Sequence, residues 1–129
     1  MKKILFVICL CCSTAVMAQW TKLGENQEAI VRIDNSLIKR NSNSIEAWVM
    51  LDLKKPRQLF AGDRDINSAV ILYEYDCTEN KARILEKNIF SERNGEGDKF
   101  LSTNKPEYWL SISPTTLNYK VFKYLCRPS

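Results

Sequence analysis

Apolar and polar positions alternate along most of this chain, and the alternation gives way only near its end. Ile45, Ala47, Val49, Leu51 and Leu53 recur at every second position, with Glu46, Trp48, Met50 and Asp52 between them. Successive side chains of an extended chain point to opposite faces, so this stretch predicts a strand with one face turned to a core. Ala29–Asp34 predicts an earlier strand, and Ser36–Arg40 one that continues it or pairs with it. Ser68–Cys77 has a near-continuous apolar centre and predicts a strand buried on both faces. Lys81–Ser91, Lys99–Ser102 and Tyr108–Ile112 predict further strands, with a hairpin turn at Asn94–Asp98. Asn41–Ser44 is a turn cluster, and Lys54–Asn67, which contains Pro56 and Gly62, predicts a connecting loop.

After Ile112 the period changes. Ser113 followed by Pro114 predicts a helix start, since a serine hydroxyl can accept an orphan backbone N–H and proline suits the first helical position. Leu117, Val121, Tyr124 and Leu125 then share one face at helical spacing, with Phe122 at its rim. Tyr119, Lys120, Lys123 and Arg127 point the other way. The whole predicts an α+β domain: an antiparallel sheet of about six strands with a C-terminal helix packed on one face.

The first 18 residues stand outside this pattern. Met1-Lys2-Lys3 is a short positive start, Ile4 to Cys12 an apolar core, and Val16-Met17-Ala18 a small-residue cleavage site of the A-x-A kind. That is the three-part form of a secretory signal, read here as residues 1–18. The apolar run is too short to span a bilayer, which takes about 20 residues, and no second such run follows. Lipid anchoring at a leader cysteine is the competing fate. It wants a small residue before the modified cysteine, whereas Ile8, Leu10 and Cys11 precede the three available. Cleavage after Ala18 leaves Gln19–Ser129, 111 of the 129 residues, which suits one small domain.

Composition then narrows the chemistry. Of five cysteines, Cys9, Cys11 and Cys12 belong to the leader, and Cys77 and Cys126 remain. Two cysteines in an oxidising compartment are expected to pair, which ties the far end of the helix to the sheet and adds about 4 kcal/mol by loop closure. Histidine is absent. Triads built on histidine and the usual zinc and haem ligand are therefore excluded, and the chain is expected to be a non-enzyme without cofactor. Without Lys2 and Lys3 the formal charge of +4 falls to +2, which does not argue for nucleic acid.

Three groups of residues invite a site. Asp63, Asp65, Asn67 and Glu74 match positions of a calcium loop, but Ser68 stands where the sharp turn is needed, Ile71 offers no oxygen, and the flanks are not helical. A polar loop entering a strand is the better account, and no metal is expected. Lys54, Lys55 and Arg57 in the predicted loop, and Lys120 and Lys123 on the helix with Arg127, are candidate partner-binding cations. Their ordinary role is a solvated loop and a solvated helix face. Trp48 and Trp109 fall in predicted strands and are expected in the core, with Trp20 tucking the N-terminal end onto the domain.

Several stretches together resemble a known family. They are Gln19–Gly24, Asp34–Arg40, Ala47–Asp52, Tyr75-Asp76-Cys77 with Arg83, Trp109–Pro114 and the terminal Cys126. In this order they resemble the surface-adhesin protein E family of Gram-negative bacteria over almost the whole of residues 19–129. The resemblance implies a multi-stranded antiparallel sheet with a C-terminal helix tied by one disulfide. It also implies an exported binding protein whose partners are host matrix and plasma proteins of the vitronectin, laminin and plasminogen class. The name-giving members are surface lipoproteins, whereas this leader has no good lipidation cysteine, so both the periplasm and the outer surface remain expected locations. The alternative is an envelope protein that binds or inhibits another protein, such as a cell-wall hydrolase.

Overall fold

The computed structural model of the chain describes residues 19–58 and 60–127, so the leader read at residues 1–18 lies outside the described residues. Eight strands and one helix follow in chain order: β1 Trp20–Glu25, β2 Ala29–Asp34, β3 Lys39–Arg40, β4 Ile45–Arg57, β5 Ile66–Asp76, β6 Lys81–Phe90, β7 Lys99–Thr103, β8 Leu110–Ser111 and α1 Leu117–Leu125. All strand pairs are antiparallel, in the order β1-β2-β4-β5-β6-β7, with β3 on β4 and β8 on β6. The predicted class holds, with more strands than the alternation marked. β1 escaped it because only Trp20, Leu23 and Gly24 are partly buried, and a register shift at Lys22/Gly24 breaks the alternation.

The inward alternation of β4 builds the core. Val31, Ile33, Ile45, Ala47, Val49, Tyr75 and Ala82 form one face of the sheet and meet Val121, Phe122 and Leu125 of α1. Tyr75 is fully buried, and its hydroxyl donates to Asn118 Oδ1 at 2.5 Å, which satisfies the polar atom inside the apolar layer. Phe122, expected at the rim, is only 8 % exposed. Tyr119, expected to point away, packs partly against the core beside the Phe122 ring at 6.1 Å.

The opposite face is covered by residues 91–98, a segment with no large apolar side chain. Ser68 Oγ donates to the Glu92 carbonyl at 2.5 Å and accepts from Gly95 N–H at 2.9 Å, and Asn67 donates to the Ser91 carbonyl. Asp52, buried on this face, accepts from Asn94 N–H, Arg32 and Arg93 at 3.0, 3.1 and 3.0 Å. Gly95 has φ +69°, and an added Cβ would stand 3.1 Å from Val70 Cγ2, so any other residue there would strain the loop's seat on the sheet.

Three expectations need correction. Lys54–Asn67 is not one loop: β4 runs on to Arg57 because Lys54 N–H donates to the Glu28 carbonyl at 2.8 Å and Arg57 pairs with Ile66. Pro56 falls within the register shift between Asp52 and Arg57, where a missing N–H disturbs no ladder bond. The helix does not start at Ser113-Pro114. The Ser113 carbonyl accepts from Thr116 N–H and Oγ1, the turn closes on itself, and α1 begins at Leu117 after an extended Thr116. Neither Trp48, half-buried in β4, nor Trp109 is a core residue. The last strand contracts to Leu110–Ser111, and Trp109, 36 % exposed, lies against the Arg83 guanidinium at 4.6 Å.

Candidate functional site

The disulfide joins Cys77, just past β5, to Cys126, the residue that ends α1, with Cα atoms 5.5 Å apart. Beside it lies an open groove of about 540 Å³ bordered by Leu23, Lys120, Lys123, Tyr124 and Arg127. The two predicted cation clusters differ in what surrounds them. Lys54 Nζ sits 2.8 Å from Glu25, and Arg57 sits 3.1 Å from Glu28. Hydrogen bonds from Lys22 and Lys54, with their charge, hold the Glu25 carboxyl down at about 2. Lys54 and Arg57 are thus matched by acids of β1 and of the β1–β2 turn, and Lys55 stands exposed between them.

Lys120, Lys123 and Arg127 make no ion pair among the described residues. Lys123 lies 5.6 Å over the Tyr119 ring and Arg127 lies 5.5 Å over the Tyr124 ring, so aromatic faces support their charges. The stem of Lys120 crosses Gly24 of β1, one residue from the Glu25 that takes Lys54. Both clusters therefore border the end of β1, one neutralised and one not.

A second surface was not foreseen. α1 has nine residues and is about 14 Å long, whereas β4 has 13 and spans about 43 Å. The helix cannot roof the whole face. Two hollows of about 400 and 370 Å³ flank its first turn and share Tyr73, Thr116 and Asn118. Ile84, Leu110 and Ile112 line one, and Leu51, Leu53 and Leu117 the other. Tyr108 beside it is 91 % exposed and Leu110 is 70 % exposed. Burial, aided by the negative charge of Glu107, raises the pKa of the Tyr73 hydroxyl and keeps it neutral. The signal was present in Leu51 and Leu53, which carry the inward alternation past the reach of a short helix.

This groove offers apolar area and a few neutral hydrogen-bonding groups, with Arg83 and Glu107 lining one hollow and Glu28 and Arg57 the other. Among the described residues no three His, Cys, Asp or Glu side chains converge as metal ligands. Glu74, the last position of the calcium-like spacing, sits in the middle of β5, where it accepts from Arg83 and Ser44. Among the described residues, no helix is long and apolar enough to cross a membrane.

The model of the family described as surface-adhesin protein E matches residues 20–127, which is nearly all of the described chain. The chain belongs to the surface-adhesin protein E family. Two crystal forms of Haemophilus influenzae protein E share its fold, each 19 % identical and each covering 88 % of this chain. One matches over 87 % of its own length with a TM-score of 0.60, the other over 91 % with 0.62. Protein E from non-typeable H. influenzae matches over 78 % of its length with a TM-score of 0.58. No curated protein sequence matches significantly. The sheet and the C-terminal helix of this adhesin E chain thus stand within a known fold.

Proposed function

We propose that the protein is an exported adhesin that works by binding a protein partner, without catalysis. The observation that carries this reading is the uncovered apolar groove at the first turn of α1, flanked by Tyr108 and Leu110, in a chain of the adhesin E family. Exposed aromatic and aliphatic side chains beside a concave apolar surface are the anatomy of a protein-binding patch. Partners of the host matrix and plasma class, such as vitronectin, laminin and plasminogen, follow from the family's character. Lys120, Lys123 and Arg127 would steer an acidic partner, and Lys55 would add to it, whereas Lys54 and Arg57 are already paired.

Immobilised matrix proteins test the partner class directly. Tyr108→Ser with Leu110→Ser should weaken capture at least tenfold while leaving the thermal midpoint within about 2 °C. Undiminished capture removes the groove from the account. Protease shaving of intact cells tests the location. A protein that stays protected until the outer membrane is opened, and that ignores matrix proteins, overturns the adhesin reading in favour of an envelope-resident inhibitor. That second reading is favoured by the unsuitable residues before Cys9, Cys11 and Cys12.

A further inference from the structure

Asp34 ends β2 and is 2 % exposed. Its Oδ1 accepts from Ser36 N–H at 2.9 Å, from Ser36 Oγ at 2.5 Å and from Gln19 N at 3.3 Å. All three donors are neutral. Among the described residues no lysine or arginine lies within ion-pair distance of this carboxylate. The contrast is with Asp52, equally buried, which two guanidinium groups flank at 3.0 and 3.1 Å. A buried carboxylate without a positive partner is costly.

The position of Gln19 supplies the missing charge. Its carbonyl accepts from Asn35 N–H at 3.1 Å, and the next residue, Trp20, pairs with Asp34 in the sheet register. The Gln19 nitrogen is therefore held at Asp34 from two sides. It is also the nitrogen that cleavage after Ala18 would free. Water adds across the Ala18–Gln19 peptide bond, the carboxylate departs with the leader, and the released amine takes up a proton. We propose that leader removal places an α-ammonium on the buried Asp34 carboxylate, so that processing completes the fold. The proposal rests on the export reading above only for where the chain is cut. A protonated amine also has no lone pair with which to attack its own side-chain amide. The same pair therefore shields Gln19 from cyclising with loss of ammonia.

The experiment uses the disulfide-bonded chain released by a protease that leaves Gln19 first. It is compared with a chain that retains Ala18 and with the Gln19-first chain acetylated at its amine. Urea unfolding should give the Gln19-first chain an unfolding constant about tenfold smaller than either comparator, the scale of a charge-assisted hydrogen bond. In Asp34→Asn the three forms should become equal, and Gln19 should cyclise faster by intact mass. Equal stability of the free and acetylated chains overturns the proposal without recourse to any substitution. A difference that persists in Asp34→Asn overturns it as well, and so does a first residue other than Gln19 on the protein isolated from cells. Matrix binding and surface exposure are read separately, so the adhesin reading stands or falls on its own measurements.

Discussion

On one face of the sheet, α1 lays Val121, Phe122 and Leu125 onto a row of apolar strand residues, and a disulfide ties its far end. On the other face, residues 91–98 bring no large apolar side chain and are held by Asp52, Asn67 and Ser68. The first cover is fixed by area removed from water together with a covalent bond. The second depends on hydrogen bonds and charge, and so on the solution. A nine-residue helix buries little by itself and is marginal alone, so the covalent tie does much of the holding. The polar cover manages without one because each buried group beneath it has a partner.

Cutting the tie has the largest expected effect. Cys77→Ser releases a loop of 49 residues' separation, worth about 4 kcal/mol in the loop-closure account. Urea unfolding at pH 7 should register the loss, and Cys126 should become reactive to thiol reagents as α1 lifts. A variant that loses less than about 1 kcal/mol would show that apolar packing alone holds the helix, and the contrast between the two covers would shrink to chemistry of side chains.

Asp52→Ala strikes the polar cover at its centre. It leaves Asn94 N–H without an acceptor and two guanidinium groups without their anion, but Arg32 and Arg93 reach water, so the cost should be about 2 kcal/mol. The pH dependence carries more information. Burial would raise the pKa of Asp52, yet Asn94 N–H, Arg32 and Arg93 outweigh it and hold the carboxyl below its ordinary value. A depressed folded-state pKa stabilises above the unfolded value of about 4, and that contribution is lost as pH falls through the folded value. The native chain should therefore lose stability below pH 4 more steeply than Asp52→Ala. Parallel acid curves for the two would remove the charge from the account of this face.

Gly95→Ala tests the same cover through its backbone. Alanine at φ +69°, with its Cβ against Val70, should cost about 1–2 kcal/mol. Thermal unfolding measures it, and resistance of the 91–98 segment to limited proteolysis should fall with it. A neutral outcome would mean that the loop is looser on the sheet than its bonds to Ser68 imply.

The two covers were unequally legible in the amino-acid sequence. Leu117, Val121 and Leu125 announce a helix face by spacing alone, because burial against a flat surface demands that period. The polar cover leaves no such trace. Ser68 meets Glu92, and Asp52 meets Arg93, across 24 and 41 residues of chain, and no local pattern encodes a distant hydrogen bond. Lys54–Arg57 read as a loop because proline and charge are local signals, while the bond from Lys54 to the Glu28 carbonyl that keeps β4 going is not. The groove lay between these cases. Leu51 and Leu53 were assigned to the correct face, but the short reach of α1 that leaves them uncovered followed only once Thr116 was seen to delay the helix.

The smallest effect on stability is expected where the largest effect on association rate lies. Lys120→Glu with Lys123→Glu reverses two exposed cations that pair with no acid among the described residues, so the unfolding midpoint should shift by at most about 0.5 kcal/mol. Lys54→Glu, in contrast, sets a third acid beside Glu25 and Glu28 and breaks the pair at 2.8 Å, so it should cost slightly more stability although it too alters an exposed lysine. On an acidic partner the order should invert. Exposed unpaired charges govern encounter, so the helix variant should slow association several-fold at low salt and lose that difference near 1 M, where the screening length falls to about 3 Å. The Lys54 variant should change association little, since that charge is already spent on Glu25. Surface plasmon resonance at two salt concentrations separates the outcomes. Equal slowing by both variants would mean that the acids of β1 and its turn do not neutralise the first cluster, and that the two basic groups act as one surface.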